Sequence, residues 1–425
     1  MASNVTVSNK PSSIAIVGGG IGGLCLAIGL ANHQHLRVSI FEAASAFTEI
    51  GAGLALGPNA QQALRLLSHA AERAFRNQAT ANSSPEFSNT WFDFRRGIDG
   101  LSLGKMENKT GQQQTVHRAK FLDELAKLIP QGVAHFGKRL ARLEETGLSD
   151  ILLHFTDGTT ATADCVIGAD GVHSTVRKHL LGAATPAATP VFSGIVAYRG
   201  LIPIEVADEV LGEYAHNAYL WCGKGGMVMS YPIDFGRLVN VVAACDGKSW
   251  DQGASAVPST PEQLSQNFEG WGGGGVPRRT IELLDKPTLW AMLHHLPAPR
   301  YRSGNTAIMG DAAHAMTPFQ GAGAGQAIED ALVLSTLLGR VRCPLGLGVA
   351  LDVYDAVRRP RTQRVVRTSR DAWELFADGT VNGDADKWNK AWDGRMDWIW
   401  DIDLQKHVAE ALELFAQKMS SVCPG

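Results

Sequence analysis

Apolar positions along the chain keep two rhythms. Ile14–Val17 is a short unbroken apolar run that stops at a cluster of glycines, Ile21–Asn32 follows as a buried helix, and Arg37–Glu42 reads as a second strand. Unbroken apolar strands alternating with helices belong to parallel sheets covered on both faces, so this segment predicts the first βαβ unit of a doubly wound sheet. Pro58 can open a helix as its first-turn residue, with Ala60, Ala63, Leu64 and Leu67 as its apolar face. Ser68–Gly111 is polar and shows no period, which predicts irregular chain. A helix resumes over Ala119–Ile129, where Phe121, Leu122, Leu125 and Leu128 share one side. Ile151–Phe155 and Thr160–Val166 flank Asp157-Gly158, a pair suited to a two-residue hairpin turn because both positions tolerate positive φ. The second strand should run on into Ile167-Gly168-Ala169-Asp170-Gly171.

The rhythm changes between Pro190 and Pro299. Val196–Leu201, Ala218–Trp221, Met227–Tyr231 and Leu238–Ala244 are short strand-like runs separated by Gly and Pro, which predicts an inserted, largely antiparallel β domain. Thr306–Met309 returns to a parallel-core strand, a long apolar helix covers Ala324–Leu338, and the chain beyond Val349 is helical. The fold class is α/β with α+β insertions. A Rossmann-like domain is built from residues 1–189 and 300–348, a β-sheet domain from 190–299, and C-terminal helices over 349–425 pack on the core.

Bulk properties narrow the function. A chain of 425 residues exceeds the size at which one core stops growing, which fits interleaved domains. A net charge of −3 gives no reason to bind nucleic acid or an anionic membrane. Six scattered cysteines form neither a metal-like spacing nor a disulfide framework, so a reducing cytoplasm is expected. Ile14–Ala31 is long enough to weigh as a leader or membrane span, but its six glycines favour a strand and a buried helix. A monomer or homodimer without a membrane partner is expected.

Chemistry concentrates in three segments. Gly18-Gly19-Gly20-Ile21-Gly22-Gly23 is a GxGxxG between a strand and a helix. Gly18 permits the turn, Gly20 lets amides approach a pyrophosphate, and Gly23 allows close helix–strand packing. Glu42, nineteen residues after Gly23, ends the next strand and can accept both ribose hydroxyls of an adenosine. In the second segment, Thr306–Met309 leads to Gly310-Asp311, and Gly321-Ala322-Gly323-Ala324-Gly325 opens a helix. Asp311 can bond a polyol chain, and the amides at Gly323 and Ala324 can hold a negative flavin carbonyl, a site that a simple NAD dehydrogenase does not need. The third segment is Asp170-Gly171-Val172-His173-Ser174-Thr175-Val176-Arg177.

Together these segments resemble the class A flavoprotein aromatic hydroxylases, the family of para-hydroxybenzoate and salicylate hydroxylases. The resemblance spans nearly the whole chain. It implies a para-hydroxybenzoate-hydroxylase-like fold, FAD as cofactor, NADH or NADPH as electron donor, molecular oxygen as co-substrate and a small aromatic substrate covered by the β-sheet domain. It also implies FAD contacts from Asp170 and from Arg118 in His117-Arg118-Ala119-Lys120. The nearest branch is salicylate-hydroxylase-like, through Glu49-Ile50-Gly51-Ala52-Gly53, Tyr198-Arg199-Gly200, Tyr231-Pro232 and Gln326 with Glu329-Asp330. Gly53 joins the cofactor set by that likeness. Arg199 and Tyr231 match phenolate-binding positions, and a guanidinium beside a phenol favours the electron-rich phenolate. One position departs: Phe319 stands where many members of the branch carry a histidine, so no base is expected there. The implied reaction is FAD-dependent hydroxylation of a phenolic acid, salicylate to catechol with loss of carbon dioxide. Alternatives are a hydroxylase of larger phenols or hydroxypyridines and a non-catalytic dinucleotide-fold carrier. His294, His295 and His314 read as loop histidines, Trp392, Met396, Trp398 and Trp400 as helix packing, and Arg358, Arg359, Arg361 and Arg364 as a solvated or paired helix face.

Overall fold

The computed structural model describes the chain except residues 1–10, 48–52, 109–113, 147–149, 251–253, 272–274, 379–382 and 423–425. The N-terminal arm, Glu49–Ala52, most of the Gly272–Gly275 run and Cys423 therefore lie outside the described residues.

A six-stranded sheet carries the first domain in the order Arg302–Ser303, Thr306–Ile308, Cys165–Gly168, Ser12–Val17, Leu36–Phe41 and Ala134–His135. All neighbours are parallel except the first pair. The helix Ile21–Leu30 is apolar nearly all round, and the helix Gly323–Leu338 buries nearly all its residues, the polar Gln326, Glu329 and Asp330 among them. A helix buried on every side is an interior helix.

An eight-stranded sheet forms the second layer, in the order Ala256–Pro258, Thr288–His294, Val191–Pro203, Leu238–Asp246, Gly226–Ile233, Tyr219–Gly223, Thr90–Arg96 and Ser102–Glu107. Here the reading of Ser68–Gly111 as irregular is corrected. The segment holds a helix, His69–Arg76, and the last two strands of this sheet, so the sheet draws on chain well before residue 190. Thr90-Trp91-Phe92-Asp93-Phe94 is buried on both faces, including the polar Thr90 and Asp93, which hides any alternating pattern.

The hairpin is corrected too. Among the described residues only Gly158 takes positive φ in that turn, and Phe155 pairs with Thr159 around three residues rather than two. Its second strand ends at Ala163, and Cys165–Gly168 belongs to the parallel sheet instead. The main C-terminal helix, Leu345–Ala377, runs 33 residues and lays Val365, Ala372, Trp373 and Phe376 against the eight-stranded sheet. Trp388 and Trp392 complete this wall around Phe94, with ring centroids 5.0 and 5.1 Å away. No helix among the described residues is long and apolar enough to cross a membrane.

Candidate active site

The glycine turn has the shape a dinucleotide needs. Gly18 has φ +107°, and a Cβ there would sit 2.3 Å from the Ala169 carbonyl oxygen. A Cβ on Gly23 would meet the Gly18 carbonyl oxygen at 2.1 Å, so the helix lies directly on the strand. At Gly20 the same position is open, with nothing within 4 Å, which leaves the amides at the helix start approachable. Glu42 faces this turn. Its carboxylate accepts the Gly19 and Ala44 amides, both at 2.7 Å. A carboxylate has about four acceptor positions, so it keeps capacity for ribose hydroxyls while the backbone fixes its aim.

Asp170 sits against Gly18, but its carboxylate is engaged locally. It accepts the Ser174 hydroxyl at 2.5 Å and the Thr175 and Val176 amides at 2.7 and 3.2 Å, capping the helix Thr175–Leu181. Burial raises its pKa against those bonds. Seven residues after Asp170, Arg177 is fully buried and donates to the carbonyls of Ala187, Leu296, Ala312 and Ala313. It thereby ties the Asp170-Gly171 segment to the Gly310-Asp311 segment, a role that a lone arginine in a helix pattern gave no reason to assign. Burial lowers its pKa to about 10.

Asp311 is exposed at the C-terminal end of its strand and makes no hydrogen bond among the described residues. The backbone before it is held from behind. Asp330 accepts the Gly310 amide at 3.0 Å, His314 Nε2 at 2.6 Å and Arg358 Nε at 2.8 Å. Glu329 accepts Arg358 Nη1 at 2.6 Å, Arg361 Nε at 2.8 Å and Asn59 Nδ2 at 2.7 Å. Arg358 is therefore no solvated charge, and His314 is no loop histidine; both are fully buried. Gly323 and Ala324 begin the helix Gly323–Leu338, where first-turn amides have no partner within the helix. An exposed carboxylate, a rigid turn and unclaimed amides fit a flavin dinucleotide.

Across from these motifs stands one face of the eight-stranded sheet. Alternation places Ala197, Arg199, Tyr231, Asn240, Val242, Trp290 and Met292 on that face, and Val196, Tyr198, Val228, Val241 and Ala243 on the other. Arg199 pairs with Val242 across one strand boundary, and Tyr231 pairs with Asn240 on the next, so the two residues lie on a diagonal. The Arg199 guanidinium lies 5.3 Å from the Trp290 ring centroid. Its Nε is shut off from solvent without an acceptor, and no carboxylate pairs with it among the described residues. Burial and the nearby Arg118 lower its pKa, while Tyr231 opposes them. Burial pushes the Tyr231 hydroxyl up to about 12, with Arg199 pulling the other way.

Arg118 opens the helix Arg118–Ala126 directly after His117, whose strand partner is Gly53. Gly53 touches the sheet rather than standing in the glycine turn: its amide donates to Asn240 Oδ1 at 2.8 Å. Phe319 is buried and packs on Trp373, with centroids 4.8 Å apart, so an aromatic wall occupies that position. Sequence reasoning missed Trp290, Asn240 and Arg177. Arg199 and Tyr231 came from the family resemblance; strand register adds Trp290 and Asn240 to the same face.

An FAD-binding-domain family model matches residues 12–369. The chain is 59% identical to 6-methylsalicylate 1-monooxygenase of Aspergillus terreus, over 98% of this chain and 96% of that one. The chain belongs to the class A flavin monooxygenases. It is 40% identical to a salicylate hydroxylase of Pseudomonas putida, with 95% of each chain covered. Its fold matches a salicylate hydroxylase substrate complex with TM-score 0.84 and 34% identity, over 95% of this chain and 98% of that one. The protein is an FAD-dependent aromatic hydroxylase that draws on NAD(P)H and molecular oxygen, and the carrier alternative is set aside.

Proposed function

We propose that this flavin monooxygenase hydroxylates a salicylate-type acid at the carboxyl-bearing carbon, and that 6-methylsalicylate is preferred over salicylate. The observation that carries the reading is Arg199, a half-buried cation whose Nε is shut off from solvent with no acid opposite it among the described residues. A ligand that brings its own negative charge completes such a site, whereas a neutral phenol leaves the cation unanswered. The relative at 59% identity that acts on 6-methylsalicylate supports the methylated ring, and Phe319 with Trp373 offers an apolar surface for it.

In this reading Glu42 holds the adenosine ribose, and the Gly18–Gly23 turn holds the pyrophosphate. Asp311 would bond the ribityl chain, and the amides of Gly323 and Ala324, with Arg118 and Gly53, would help to hold the flavin. Asp170 acts by shaping the turn beside Gly18. Bound FAD supplies electron transfer from NAD(P)H and oxygen activation. Arg199 binds the acid and favours the phenolate, while the Tyr231 hydroxyl bonds a ring oxygen. Trp290, Phe319 and the tryptophan wall keep water out. In the net reaction the ring–carboxylate bond breaks and carbon dioxide leaves. A ring–oxygen bond forms with one atom of O2, the other leaves as water, and NAD(P)H supplies the two electrons. Cys25, Cys165, Cys222 and Cys245 are free and buried, which supports a reducing compartment such as the cytoplasm.

The test offers the protein 6-methylsalicylate, salicylate and the matching phenols without the carboxylate, and follows NAD(P)H oxidation, product mass and carbon dioxide. We expect 3-methylcatechol and carbon dioxide from the first acid at the highest kcat/KM. Phenols that stimulate turnover as well as the acids would show that Arg199 is not an acid-binding group.

A further inference from the structure

A two-stranded ribbon, Gly53–Leu56 with Gln114–His117, runs between the glycine-turn domain and the eight-stranded sheet. It is fastened to the sheet at two points. Asn240 Oδ1 accepts the Gly53 amide at 2.8 Å, and Thr115 Oγ1 donates to the Pro232 carbonyl at 2.6 Å. Both sheet partners adjoin Tyr231, since Asn240 is its cross-strand neighbour and Pro232 follows it in the chain. On the ribbon side, Gly53 pairs with His117, which immediately precedes Arg118.

Asn240 is 2% exposed in a strand whose neighbours Val239, Val241, Val242, Ala243 and Ala244 are apolar and buried. An amide in such a place is costly unless it is answered. Here it is answered by a backbone group of the other layer rather than by its own sheet. The gap it spans has no slack. A Cβ on Gly53 would lie 2.6 Å from Tyr231 Cε2, and 2.7 Å from both the Tyr231 hydroxyl oxygen and Asn240 Cγ. Those separations are well inside carbon contact distance.

We infer that Asn240 is a positioning residue, which with Gly53 gauges the spacing between the Arg118 ribbon and the Tyr231–Arg199 face and so the depth at which the aromatic ring sits. The inference rests on the proposed role of Tyr231 and Arg199 as ring-binding groups. A bond that only added stability would lower the melting temperature and leave the bound ring where it was. A gauge, when lost, lets the ring drift, so substrate affinity and coupling change in protein that still holds its FAD.

Two variants of the holoenzyme test this by different routes. Asn240→Leu removes the acceptor at similar volume, and Gly53→Ala keeps the acceptor but fills the gap. Four quantities are measured: FAD per chain, melting temperature, the Kd of 6-methylsalicylate from quenching of protein fluorescence, and the share of consumed NAD(P)H recovered as hydroxylated product rather than hydrogen peroxide. Asn240→Leu should keep near-parental FAD, and both variants, compared per FAD-loaded chain, should bind the acid about three- to tenfold more weakly, as expected for one lost hydrogen bond, and divert a larger share of electrons to peroxide. Asn240→Asp, which retains an acceptor oxygen, should recover part of the coupling. Parental Kd and coupling in either folded variant would overturn the inference, as would losses that only track lost FAD. If Asn240→Leu does not fold, Gly53→Ala decides alone. A parent enzyme that binds no aromatic acid would overturn the functional reading and this one together; unaltered variants of an active parent overturn only this one.

Discussion

Arg358 is fully buried and Arg199 half-buried, and they stand in opposite electrical surroundings. Arg358 is fully buried between Glu329 and Asp330, and Arg361 and His314 close the network. The two carboxylates outweigh burial and raise its pKa. Arg199 has an aromatic face, a tyrosine and another arginine nearby, and its pKa is lowered. A buried charge that the fold itself answers is architecture; one left unanswered waits for a ligand. Arg177 is a third solution, answered by four carbonyls instead of an acid.

The sharpest way to break this comparison is to remove each cation in turn. Arg358→Met strands two buried carboxylates and should cost about 3–5 kcal/mol, read as a large fall in melting temperature or loss of soluble protein. The same network sets an acid limit. Burial pushes the Glu329 carboxyl up, but Arg358 and Arg361 outweigh it and hold it down to about 2, against 4.5 ordinarily. Its folded pKa lies below its unfolded one, so its stabilising effect is complete above about pH 4.5 and fades as pH falls toward 2. Burial and the nearby Arg177 hold His295 neutral, down to about 3 against 6.5, so its contribution fades as pH drops below 6.5. Melting temperature should therefore fall on acidification, and the fall should be shallower in Glu329→Gln below pH 4.5.

Arg199→Met should do the reverse of Arg358→Met. Melting temperature and FAD content should stay near parental, while acid-stimulated NAD(P)H oxidation falls about ten- to a hundredfold, the weight of one charge-assisted contact. A folded Arg199→Met protein with full turnover would leave the comparison without its functional half. Glu42→Ala sharpens it from the cofactor side. It removes an acceptor of two amides and should weaken FAD binding by about 1–3 kcal/mol, measured by equilibrium dialysis, with no specific effect on aromatic binding in fully loaded enzyme. Tyr231→Phe is the mildest. It deletes one hydroxyl and keeps the ring against Gly53, so kcat/KM for the acid should drop about two- to tenfold at unchanged FAD content.

Local sequence was enough wherever function depends on backbone shape. Gly18, Gly20 and Gly23 at their spacing, with Glu42 at the next strand end, identified a dinucleotide turn whose defining residues all lie within one βαβ unit. Apolar runs likewise placed the parallel core, because a strand buried on both faces has no polar alternative. The same logic misled at Thr90–Arg96, where a buried Thr and Asp broke the pattern; at Arg358 it left open solvation or pairing, because the two acid partners lie nearly thirty residues upstream.

Motifs and their spacing were enough for the cofactor class and for the residue types able to meet an aromatic acid. Only the tertiary structure decided which charges are spent. Glu329, Asp330 and Arg358 cancel one another inside the core, Asp170 caps its own helix, and Arg199 is left facing Tyr231 and Trp290. Pairing between distant charges is set by strand register and helix packing, and neither is written in the local spacing of residues. The gap at Gly53 is of the same kind: family likeness gives that glycine to the cofactor set, and only packing brings a tyrosine from another layer 2.6 Å from where its side chain would be.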